Sequence, residues 1–282
     1  MIQLTRDRTQ ISSAFWGQRL RNKLEWLFQQ QQRVVNDEIE SIHFSSGRSY
    51  WKTAKEQLEK ETHRKCAYCE ADTKVVAHGD VEHFRPKSIY WWLAYTYDNY
   101  LFSCQICNQI YKLDNFPVRN NRVVPPPVLA QMSATELSNL FDQFSLDPRD
   151  IQIEQSIVSP AILQSQEDPD LINPYFEDPE QFFHWEFDDV LKAVKLIADH
   201  QDNRSQRYTQ AAIDYYGLNR EPLLHGRYKY FRMFRNLKKT LDHLPGPLRA
   251  ETQQEIDFMK SAESPYAGMI RYFDQLPLQQ IS

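Results

Sequence analysis

Apolar positions along this chain follow helical periods near both ends and crowd into an aromatic stretch near the middle. Phe15, Leu20, Leu24, Leu27 and Phe28 recur at a mostly helical spacing, which predicts a helix over 13–33 with Ser13 as its cap. Gly47 breaks the chain. A second helix is expected over 49–63, with Ser49 as cap and Trp51, Ala54 and Leu58 on one side. Thr73, Val75 and Val76 favour a strand, His78-Gly79-Asp80 a turn, and Val81 to Phe84 a return strand, so 73–85 reads as a β-hairpin. Residues 90–102, rich in Tyr and Trp, predict a packed loop or helix, and Ser103 is placed to cap a helix over 104–112.

Pro125-Pro126-Pro127 marks the best candidate boundary. Beyond it the pattern predicts a helix over 134–144 capped by Ser133, a strand over 150–158 and another over 182–187, while 189–198 fits neither period. A helix over 205–216 ends at Gly217, a residue suited to a left-handed cap. Another spans 220–243 behind Asn219, and one or two more cover 247–275. The expected division is a helical segment over 1–47, a functional core over 48–122 and a mainly helical region over 123–282.

Composition narrows the function classes. Only 7 glycines occur, with no GxxxxGK[ST] or GxGxxG, which argues against a Walker or Rossmann nucleotide site. No run of about 18 apolar residues suggests a membrane span. The N-terminus lacks an apolar signal-peptide core, so a cytoplasmic protein is expected. The net charge of −5 is uneven: residues 48–122 carry 12 Lys/Arg against 9 Asp/Glu, and residues 123–282 carry 15 against 24. Read as a whole, the charge gives no nucleic-acid footprint; read by segment, it leaves a small basic patch around the cysteine pairs and an acidic second half, and charge alone does not choose between the two.

The middle stretch holds the candidate chemistry. All 4 cysteines form two CxxC pairs, Cys66/Cys69 and Cys104/Cys107. A CxxC turn brings two sulfurs onto one ion, and two such turns close a tetrahedral Zn²⁺ site with no open position, hence a structural one. Between the pairs lie Asp80, Glu82, His83 and Asn99, and Asn108 follows the last cysteine. A neutral imidazole at His83 can take a proton from water near neutral pH. Glu82 or its rival Asp80 offers a hard oxygen ligand for Mg²⁺ or Mn²⁺. In a regular strand Asp80 and Glu82 share a face and His83 does not; a strand ending at Arg85-Pro86 favours Glu82. On a helix Cys104, Cys107 and Asn108 fall on one side, so Asn108 can serve as the second ligand. Asn99 can fix the His83 tautomer through Nδ1. Arg85, Lys87 and Lys112 are candidates to grip a nucleic-acid backbone. These roles add up to metal-assisted phosphodiester hydrolysis; the alternative is a zinc-stabilised nucleic-acid-binding or adaptor module without catalysis.

At these residues the chain resembles HNH endonucleases of the HNN subtype, with Asn108 in place of the usual final His. More narrowly it is similar to the PtuB family, nuclease subunits of Septu-type and retron-linked anti-phage systems. The resemblance runs through Cys66 and Cys69, Val81-Glu82-His83-Phe84-Arg85-Pro86-Lys87, Asn99, Ser103-Cys104, Cys107-Asn108, Lys112 and Phe116-Pro117. It continues in Leu171-Ile172-Asn173-Pro174-Tyr175, Asp178-Pro179-Glu180 and Gly217-Leu218-Asn219-Arg220. Tyr100 departs from the Asn-Leu pair common after the amide, and the first 47 residues add nothing to the likeness. The resemblance implies an α+β, mostly helical protein: a ββα-metal core with a four-cysteine zinc site, followed by a helical C-terminal region. It also implies DNA as substrate and a hetero-oligomer with a PtuA-like ATPase, for which the acidic C-terminal half is a docking candidate. Arg227, Lys229, Arg232, Arg235, Lys238 and Lys239 share one predicted helix, placed either to bind DNA or to pair with nearby acids.

Overall fold

The computed structural model describes residues 1–44, 48–73, 78–150 and 159–281. The chain is α+β and about half helical rather than mostly so, with two small antiparallel sheets among the described residues. The expected strand over 150–158 lies almost wholly outside the described residues, as do Val75 and Val76 of the expected hairpin. Among the described residues no helix is long and apolar enough to cross a membrane.

Helix α1 spans Gly17–Val35 and buries Leu20, Leu24, Leu27 and Phe28, each worth about 1.5–3 kcal/mol of transfer free energy. It starts four residues later than its pattern suggests. Ser12, not Ser13, caps a preceding 3₁₀ turn over Ser13–Phe15, and Gly17 turns the chain at φ 59°. The expected second helix is two: α2 (Arg48–Lys52) and α3 (Lys55–Glu61). Trp51, Ala54 and Leu58 all face inward, and the break between the helices lets them do so.

Strand β1 (Asp80–His83) pairs antiparallel with β2 (Tyr100–Ser103), Glu82 opposite Leu101 and His83 opposite Tyr100. The return strand of the expected hairpin is therefore real, but its partner comes from the aromatic stretch read as loop or helix. All four β2 residues are buried, so an unbroken apolar run here is a doubly covered strand. Ser103 ends that strand and caps nothing. The helix that follows is a π-helix over Ile106–Lys112.

In the second half, α4 (Ala134–Asp142) starts with a full capping box from Ser133 and Glu136. Helix α5 spans Pro160–Glu167. Strands β3 (Phe183–Asp188) and β4 (Ala193–Ala198) form the second sheet and resolve the ambiguous stretch 189–198. Helix α6 (Asn203–Tyr216) is capped by Asp202 and closed by Gly217 at φ 63°. Helix α7 spans Glu221–Leu241, α8 Gly246–Lys260 and α9 Ala267–Asp274. Asn219 does not cap α7: its amide accepts from Leu196 N at 2.8 Å and donates to Leu196 O at 2.9 Å, extending the edge of β4.

One continuous apolar cluster runs through both halves, from Phe15 and Phe28 through Trp91 to Tyr216 and Phe273. The first residues are built into it. Leu4 N donates to Pro174 O at 2.8 Å, and Glu61 accepts from both Arg6 (3.0 Å) and Tyr175 Oη (2.7 Å). The Leu171–Tyr175 motif thus ties the N-terminal segment to α3.

Candidate metal and hydrolytic site

The two CxxC pairs converge. Their four sulfurs lie within 4.8 Å of one another, and Cys69 and Cys104 are 3.9 Å apart. A tetrahedron with Zn–S bonds of about 2.3 Å has edges of about 3.8 Å, so the donor set fits one zinc ion. Among the described residues no other group of three or more His, Cys, Asp or Glu side chains converges this way.

The second half of the chain covers these sulfurs. Arg220, at the start of α7, donates to Cys107 Sγ at 3.3 Å and to the carbonyls of Tyr216 and Gly217. A guanidinium here offsets the negative charge of a tetrathiolate zinc centre. Tyr216 stacks on Tyr68 of the first knuckle at 3.9 Å and 13°. A Cβ at Gly217 would lie 2.6 Å from ring atoms of Tyr111 on the π-helix, so this position needs glycine for space as well as for its φ. The Gly217-Leu218-Asn219-Arg220 motif is accordingly a lid on the cysteine knuckles. Its sequence pattern is visible, but its contacts cross more than a hundred residues of chain.

A cleft of about 660 Å³ opens beside the knuckles. It is lined by Asp80, Glu82 and His83 of β1, Asn108 of the π-helix and Asp114 beyond it, by Trp51, Lys52 and Lys55 of the α2–α3 turn, and by Lys87. The structure therefore brings the four candidate reacting residues to one cleft. The regular strand still divides them: His83 packs between the Trp51 and Tyr100 rings, each 5.0 Å away, whereas Glu82 pairs with Lys112 at 2.7 Å.

His83 Nε2 lies 3.0 Å from the Ala94 carbonyl, which only accepts, so Nε2 carries the proton and Nδ1 the lone pair. Burial pushes the His83 pKa down to about 3, with Lys87 and Lys112 adding to the effect, so the ring is neutral near pH 7. Burial also pushes the Glu82 carboxyl above its usual range, with Lys112 acting against it. Asp80 accepts from Gln109 at 2.8 Å and is partly exposed.

Three expected contacts are corrected. Asn99 does not hold His83: its Oδ1 accepts from Arg85 N at 2.9 Å and its Nδ2 donates to Arg85 O at 3.0 Å, bracing the chain two residues past His83. Arg85 is fully buried and donates to Glu167 at 2.9 Å, so it faces away from any backbone phosphate. Lys112 is fully buried too, held by Glu82 and by the His83 carbonyl at 3.1 Å; the wide turns of the π-helix carry it inward. Lys87 alone of the three lines the cleft. On α7, Arg227 is buried against the Leu218 carbonyl, Arg235 pairs with Asp189 and Lys238 with Asp274, so these three of the six basic residues are used internally.

No family model and no solved structure matches the chain. The chain is homologous over part of its length to Septu protein PtuB of Bacillus mycoides (strain KBAB4), with 37% identity over 89 residues that cover 26% of this chain and 30% of that protein, less than a third of the relative's length.

Proposed function

We propose that the chain is an HNH endonuclease, the DNA-cutting subunit of an anti-phage defence complex, with His83 as general base. The observation that carries this reading is the His83 imidazole: buried, neutral and fixed through Nε2 in a cleft shared with Glu82, Asp80 and Asn108. In this reading 48–122 is the ββα-metal core, flanked by the segments 1–47 and 123–282; the order β1, β2, π-helix supports it.

In this mechanism His83 Nδ1 takes the proton from the attacking water. Glu82 and Asn108 would hold a divalent ion, with Asp80 as a further carboxylate, since their oxygens suit Mg²⁺ or Mn²⁺; such an ion would supply Lewis-acid chemistry at the scissile phosphate. Lys112 aligns Glu82 and the His83 carbonyl, and Asn99 with Arg85 fixes the strand end behind the base. Lys87 contacts the substrate phosphate. The relative is called a Septu protein, and by that likeness the chain works in the cytoplasm in a hetero-oligomer with a PtuA-like ATPase, docked on the acidic second half.

The Lys112 ammonium on Glu82 favours a second reading, a nucleic-acid-binding or adaptor module, because it already neutralises the carboxylate a metal would use. Substituting the base separates the two. His83→Gln, which keeps most of the packing against Trp51 and Tyr100, and His83→Ala should both lower Mg²⁺- or Mn²⁺-dependent cutting by about 10²–10⁴-fold, with zinc content and folding retained. Wild-type chain that cuts no nucleic acid, alone or with its partner, sinks the nuclease reading.

A further inference from the structure

Lys52 and Lys55 stand on the cleft wall facing the candidate reacting residues, and their charges are not used by the fold. Among the described residues neither has an ion-pair partner, whereas the neighbouring Lys60 pairs with Glu56 at 2.9 Å and Lys65 donates to Ser264 O at 2.8 Å. The acids lining the cleft do not take them up: Asp80 is engaged by Gln109, Glu82 by Lys112, and Asp114 forms no ion pair with either lysine. Their position is set by packing. Trp51 and Ala54 are buried and pin the α2–α3 turn, Trp51 with its ring against His83, so the residue after Trp51 and the residue after Ala54 turn toward the opening. Lys87 extends the same charge, its ammonium 5.8 Å from the Trp51 ring centre. The result is one cleft lined by carboxylates, an amide and an imidazole together with three ammonium groups.

We propose that Lys52 and Lys55, with Lys87, form the phosphate-binding wall of this cleft and hold the nucleic-acid backbone on either side of the phosphate presented to His83. Three cations without an ion-pair partner among the described residues, gathered on one cleft, attract a polyanion. They also replace the contacts that the buried Arg85 and Lys112 do not make. This deepens the nuclease reading and rests on it for the identity of the substrate.

The test is anisotropy of a fluorescein-labelled 20-mer, single- and double-stranded, with Ca²⁺ in place of Mg²⁺, titrated across NaCl concentrations. The proteins are full-length wild type, Lys52→Ala/Lys55→Ala, Lys52→Arg/Lys55→Arg, and Lys239→Ala as a charge control on α7. Each phosphate contact contributes about 0.7 (single strand) to 0.9 (duplex) to the log–log salt slope. Loss of two contacts should flatten the slope by about 1.4–1.8, which is about 25- to 60-fold in affinity at 0.1 M salt relative to 1 M. The arginine pair and Lys239→Ala should behave as wild type. In cutting assays the alanine pair should raise KM and leave kcat nearly unchanged. Unchanged affinity and slope in the alanine pair overturn the proposal, as does a wild type that binds neither oligonucleotide. Lysine-dependent binding without cutting keeps the lysine wall and removes the nuclease; cutting indifferent to both lysines does the reverse.

Discussion

Glu167→Ala tests how the strand end behind His83 is held. Glu167 and Arg85 are both fully buried, 2.9 Å apart, and Glu167 also accepts from Tyr90 Oη at 2.8 Å and from Val123 N at 2.9 Å. Removing one partner of a buried ion pair costs about 3–5 kcal/mol, because the remaining charge stays desolvated. The two other donors lose their acceptor, each worth about 1–3 kcal/mol, but the losses overlap because the groups share one site. A total of about 4–6 kcal/mol follows. The assay is urea denaturation of zinc-saturated protein, followed by tryptophan fluorescence and far-ultraviolet circular dichroism. Glu167→Gln, which keeps an acceptor oxygen but no charge, should fall between wild type and alanine. Arg85→Met/Glu167→Met, which removes both charges, should recover much of the loss. A Glu167→Ala destabilisation below about 1 kcal/mol refutes the argument, since that range belongs to exposed pairs. The same result with tighter oligonucleotide binding would mean that Arg85 is a phosphate contact restrained by Glu167.

Two further outcomes are expected. Cys107→Ser removes one sulfur from the four-thiolate cluster and loosens the Arg220 contact; zinc should pass to a colorimetric chelator faster and the urea midpoint should fall, while retention of one tightly held zinc per chain would contradict a structural centre. Asp274 is part-buried, which alone would raise its pKa, but Lys238 and Lys260 outweigh burial and hold it below its ordinary value. Its stabilisation is then complete above the unfolded carboxylate pKa of about 3.9 and is lost as pH falls through the lower folded value. Asp274→Asn should therefore be less stable than wild type at pH 7 with a gap that closes in acid, and a gap constant with pH would refute the assignment.

What the sequence disclosed follows the range of the interactions involved. The CxxC pairs carry their geometry within four residues, so the sulfur cluster is readable directly. Ser133 and Gly217 are equally local signals, and α4 starts and α6 ends where they stand. Strand β2 was hidden because its alternation is erased by burial on both faces, and Ser103 before Cys104 imitates a helix cap while ending that strand. Arg85 resembled a phosphate ligand because its partner Glu167 is 82 residues away. Lys52 and Lys55 gave no signal, since an exposed lysine on a short helix looks the same whether it faces solvent or a cleft. Their placement depends on how Trp51 docks against His83, a tertiary fact.

The contact between Gly217 and the Tyr111 ring reaches beyond this one molecule. Together with the Tyr68–Tyr216 stack, it places residues of the two halves under joint selection. A side chain at 217 is admissible only where 111 has become smaller, and an aromatic lost at 68 leaves 216 facing a gap. Across a lineage these positions must change in step or remain fixed, so neither half can be exchanged for a homologue's without carrying its counterpart along.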